Sequence, residues 1–82
     1  MDRQEVYRLI DGERDYQDVR WQKPEHSHSV TEYLVYVRDY VEDALHRVSH
    51  EDGDEGVRPH LRKIGALAVA CMEDHGAPPR RT

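Results

Sequence analysis

Two clusters of polar side chains have the spacing that chemistry on a helix requires. Asp39, Glu42, Asp43 and His46 recur at three- and four-residue intervals, so on a helix they share one stripe. Carboxylates arranged this way suit a hard divalent cation, which takes oxygen ligands and waters. A solvated acidic face beside Arg38 and Arg47 is the plainer reading of the same residues. The second cluster is Glu13, Gln17 and Arg20, which prolongs the line of the apolar Val6, Leu9 and Ile10. A polar stretch in that position either surfaces at the helix end or enters a pocket. Tyr16 and Trp21 lie beside it, flat rings able to stack on a base, although closing the core is the simpler role for Trp21 alone.

Arg58, His60, Arg62 and Lys63 gather where a later helix begins. Helix N-termini favour anions through free N–H groups and the dipole, and added cations strengthen that preference for phosphate. The Asp- and Glu-rich loop before them explains the same residues by charge balance. His26 and His28 stand two apart in a loop and His46 on a helix, a set from which a metal site is conceivable but weakly signalled. Cys71 follows Ala68 at helical spacing and reads as a small core residue rather than a nucleophile.

Helices must position these groups. From Ser29 to Ser49, apolar residues at three- and four-residue spacing give a helix of about five turns, opened by a capping box of Ser29 with Glu32. Asp2 to about Trp21 reads as a first helix in which Gly12 marks a bend or a break. His50 to Gly56, HEDGDEG, reads as a surface loop, and a third helix runs from about Val57 to His75, stopped by Gly76 and Pro78-Pro79. The third helix carries IGALAVACM, apolar on nearly every side, which predicts burial by its hairpin partner and by a second subunit.

The chain has 82 residues, 37% hydrophobic and 35% charged, with one cysteine, no phenylalanine and a net charge of -5. A single domain this short buries only about 60% of the surface its unfolded chain exposes. No internal disulfide is possible and no Cys/His pair has zinc-finger spacing, so stapling is excluded and self-association is expected. The acidic balance argues against bulk binding to duplex nucleic acid, while a small anionic ligand needs only two or three placed cations. No stretch reads as a signal peptide or membrane span, so a cytoplasmic location is expected.

The order GERDYQDVRW, HSVTEYLVYVRDYVEDALHRVS and LRKIGALAVACMEDHGAP resembles small phage-encoded proteins related to the MazG-like all-α nucleoside-triphosphate pyrophosphohydrolases, over about residues 11 to 78. The resemblance implies helical hairpins that associate as dimers or tetramers, with magnesium held by an E-E-x-x-E motif and a later E-x-x-D motif. Glu42 and Asp43 stand at the first two acids, and His46 replaces the third. The acids of the later motif are missing, with Arg62, Lys63 and Gly65 in their neighbourhood. A two-metal hydrolase needs most of its carboxylates, whereas cations hold phosphate directly without activating water.

The expectation is an all-α protein of three helices with a long helical hairpin, one domain over residues 1–78 and a disordered tail over 79–82, assembled as a homo-oligomeric bundle. Its expected function is to bind and sequester a nucleotide immune signal, a cyclic oligonucleotide or ADP-ribose derivative, without catalysis. Tyr16 or Trp21 would stack on a base, Arg20, Arg62 and Lys63 would hold phosphate, and Glu13, Gln17 or Asp39 would bond ribose or base edges. The alternative is a magnesium-dependent pyrophosphohydrolase or phosphodiesterase using Asp39, Glu42, Asp43 and His46. A third reading is a small adaptor that binds a host protein.

Overall fold

The computed structural model describes residues 1–21, 28–50 and 53–81, and all regular structure among them is helical. Four helices follow one another: α1 (Arg3–Trp21), α2 (Val30–His50), the single turn α3 (Gly53–Gly56) and α4 (Arg58–His75). The expected count of three is therefore corrected. Gly53, at φ 67°, opens α3 within the stretch read as plain loop.

Local chemistry sets the helix ends. The Asp2 carboxylate accepts from the Glu5 N–H at 2.8 Å at the start of α1. Ser29 and Glu32 form the capping box: the Glu32 N–H donates to Ser29 Oγ at 3.1 Å and the Ser29 N–H to Glu32 Oε1 at 2.9 Å. Those bonds hold the Glu32 carboxyl below its ordinary pKa. Gly76, at φ 78°, ends α4 with its N–H bonded to the Met72 carbonyl at 2.7 Å. Gly12 does not break α1, which runs uninterrupted through it.

α4 is the central helix. α2 packs antiparallel on one side of it, with the Tyr33 hydroxyl donating to Asp74 near one end and His60 Nε2 to Asp43 near the other. α1 lies along the other side in the same direction as α4, with Ile10 against Gly65 and Arg14 bonded to Glu73. α1 and α2 thus each cover one side of α4 from within the chain, while Leu61 and Met72 of α4 stay exposed. A Cβ at Gly65 would stand 3.2 Å from Ile10 Cδ1, so the small residue lets α1 approach closely.

The core is small. Tyr33, Ala66, Leu67 and Ala70 are buried, and Trp21, Val37 and Cys71 pack against Tyr33, Leu67 and Ala70. Cys71 is the packing residue its spacing suggested.

Candidate functional site

Because α1 and α2 meet different sides of α4, they leave a cleft of about 750 Å³ between them. That volume falls in the range of small-molecule sites. α1 forms one wall for over three turns, Tyr40 of α2 the other, and Arg62 and Lys63 of α4 part of the floor. The cleft ends at Trp21, whose ring meets His28 edge-on at 5.3 Å and Tyr33 at 6.4 Å. Trp21 therefore closes the core and borders the cleft at once.

The lining is cationic although the chain is acidic. Among the described residues, Arg8, Arg20, Arg62 and Lys63 line the cleft with one carboxylate, Glu13, in a protein of net charge -5. Arg62 Nε donates to Glu13 Oε1 at 2.8 Å, which ties the floor to the α1 wall and leaves the Glu13 side chain only 11% exposed. The Lys63 ammonium lies 5.9 Å from the Tyr40 ring centroid, within cation–π range. Arg8 and Arg20 make no ion pair with a described residue. Tyr16 is 60% exposed, with a ring face free to stack.

Gln17 is held from behind by a buried guanidinium. Arg14 is 4% exposed; its Nε donates to Glu73 at 2.8 Å, Nη2 to Asp18 at 2.7 Å and Nη1 to Gln17 Oε1 at 3.2 Å. Burial works against the charge, but the bonds to Glu73 and Asp18 outweigh it and raise the Arg14 pKa.

Of the residues expected to bind a ligand, Glu13, Tyr16, Gln17 and Arg20 come together with Trp21, Arg62 and Lys63 along this cleft. Asp39 does not; it points outward, 3.6 Å from Arg38, and its neighbour Tyr40 lines the cleft instead. Tyr40 and Arg8 were missed, the first because it belongs to the apolar pattern of α2 and the second because a lone arginine near a helix start carries no signal. Of the cations at the start of α4, His60 is turned to Asp43 at 3.0 Å and Arg58 to the Glu55 carbonyl at 3.3 Å, away from the cleft.

The acidic stripe on α2 is not assembled around a cation. Asp43 accepts from Arg47 at 3.1 Å as well as from His60, and these bonds, His60 first, hold its carboxyl below the usual range. His46 stacks on His50 at 4.1 Å. No group of three or more His, Cys, Asp or Glu among the described residues is placed to hold a metal ion. The conceived triple of His26, His28 and His46 fails on distance: His28 precedes α2, while His46 lies about 24 Å along it from Val30 at 1.5 Å per residue. His28 instead sits among the rings of Trp21, Tyr33 and Tyr36, and His26 lies outside the described residues.

Among the described residues, the cleft lining contains no histidine, cysteine, serine or threonine. Its cations can hold an anion and its rings can stack on a flat one, while the described lining offers a single carboxylate, Glu13, to a metal ion. No described helix is long and apolar enough to cross a membrane. Comparison with protein-family models, with curated proteins and with solved structures gives no match.

Proposed function

We propose that the protein binds a nucleotide in the cleft between α1, α2 and α4 and does not cleave it. The observation that carries the reading is a lining, among the described residues, of four cations and one carboxylate on a chain of net charge -5, interleaved with exposed aromatic rings. Cations of this kind hold phosphate directly, and a ring such as Tyr16 offers a face to a base. A single carboxylate in the described lining, against the several that a two-metal hydrolase needs, supports binding over hydrolysis.

The narrower reading is a homo-oligomeric protein that sequesters a nucleotide immune signal. The resemblance to phage-encoded relatives of nucleotide hydrolases, with half of the acids replaced, supports that role. Self-association is supported by apolar side chains left in solvent, among them Leu34 at 63%, Leu45 at 62% and Leu61 at 66% exposure.

Calorimetric titration with ATP and GTP in excess EDTA tests the proposal, with light scattering on the same samples. The parent protein is expected to bind, and Arg20→Ala, Arg62→Ala and Lys63→Ala each to weaken binding by roughly ten- to a hundredfold, the worth of one charge-assisted contact. Arg47→Ala, engaged with Asp43 outside the cleft, is expected to bind like the parent. No binding at millimolar nucleotide, or magnesium-dependent release of pyrophosphate, would overturn the reading.

A further inference from the structure

We propose that the cleft selects a guanine base, read by Gln17 and Glu13 together. This rests on the nucleotide reading above and deepens it by assigning the groups that recognise the base.

The orientation of Gln17 follows from its neighbour and not from its own rotamer. A guanidinium has only donors, so the atom of Gln17 that faces Arg14 Nη1 at 3.2 Å must be the amide oxygen. Arg14 cannot turn away, because its other bonds run to Glu73 and Asp18. A flipped amide would set N–H against N–H inside a region where Arg14 is 4% and Gln17 6% exposed. Gln17 lines the cleft, and its amide N–H₂ finds no acceptor among the described residues. On this proposal that N–H₂ is the fixed donor that the cleft meets.

Glu13, one helical turn earlier on the same side of α1, supplies the opposite character. Its Oε1 accepts from Arg62 at 2.8 Å, and Oε2 is engaged by no described residue. Each carboxylate oxygen has two lone-pair sites, so Glu13 can accept two further N–H bonds while keeping Arg62.

One acceptor followed by two donors is the edge that guanine presents: O6, then N1–H, then the exocyclic N2–H₂. Gln17 donates to O6, and the two N–H groups enter the Glu13 carboxylate. Adenine, uracil and cytosine each offer that carboxylate one in-plane donor beside an acceptor, whichever way the base is turned. A second charge-assisted bond separates guanine from the rest, and it is worth about tenfold or more in affinity.

The test compares GTP with inosine triphosphate, which lacks only the N2 amino group, and with ATP, by titration in EDTA. The parent is expected to bind GTP about tenfold more tightly than either. Glu13→Gln keeps an oxygen for Arg62 but cannot accept the second N–H, so it is expected to bind GTP and inosine triphosphate alike, with helicity by circular dichroism unchanged. Equal affinities of the parent for all three nucleotides, or a preference for GTP that persists in Glu13→Gln, overturns the guanine assignment and leaves nucleotide binding standing. Failure of all three to bind overturns both.

Discussion

The two flanks of α4 are held by different physics. On the α2 side, Tyr33, Leu67 and Ala70 form an apolar cluster closed by Trp21, Val37 and Cys71. On the α1 side, the buried residues of α1 itself are Arg14 and Gln17, and beside the contact of Ile10 with Gly65 the ties are the Arg14 bonds and the Glu13–Arg62 pair. Apolar packing is non-directional and tolerates sliding, whereas a forked guanidinium with defined partners fixes rotation and register. The helix that supplies most of the cleft wall is thus attached by the contacts that place side chains most strictly.

The largest expected effect is on the apolar flank. Leu67→Ala truncates the largest aliphatic side chain of the core and should cost about 2–5 kcal/mol. A domain of this size rarely has more than about 3–5 kcal/mol to lose, so urea denaturation followed by far-ultraviolet circular dichroism should show a largely unfolded protein. A fully folded variant would mean that the small core is not what holds α2 to α4.

Arg14→Met separates the flanks. It keeps volume but removes every directional tie to Glu73, Asp18 and Gln17, at a cost of about 1.5–3 kcal/mol for bonds to charged groups. Amide hydrogen exchange should accelerate in α1 while α2 and α4 keep their protection. Uniform acceleration across all three would show that the two flanks unfold as one unit.

The smallest effect concerns the polar edge of the α2–α4 seam, where Asp43 meets His60. Bonds from His60 and Arg47 hold the Asp43 carboxyl below its ordinary range. A carboxyl depressed in the folded state contributes stability above its unfolded pKa and loses it as pH falls through the folded value. Asp43→Asn should therefore be less stable than the parent at neutral pH, with the gap closing as pH drops below the usual carboxylate range; thermal melts across pH 2–7 measure it. A gap independent of pH would assign Asp43 a role other than its charge.

The helices were largely legible in the sequence because their ends carry local chemistry, as in the Ser29–Glu32 box and Gly76. The one-turn α3 was not, since a run as short as GDEG has no periodicity to read. The cleft was legible in part: Glu13, Gln17 and Arg20 stood out for prolonging an apolar stripe, while Asp39 was drawn in by stacking over Asp43 and Glu42 although one residue's rotation carries it away from Tyr40. The role of Arg14 was missed because a charged residue is read as surface. Ile10, Arg14, Gln17 and Trp21 nevertheless recur at helical spacing, and that line, bracketed by two apolar residues, is the inner face of α1.

Trp21 is the sole indole in the chain, and its place where core and cleft meet gives the molecule a built-in optical probe. Tyr33, with its ring 6.4 Å away, is close enough to pass excitation to it, and His28, edge-on at 5.3 Å, is a contact quencher when protonated. The emission of Trp21 is expected to change as α1 leaves the α2–α4 pair, so one unlabelled residue follows the packing of the walls that form the cleft.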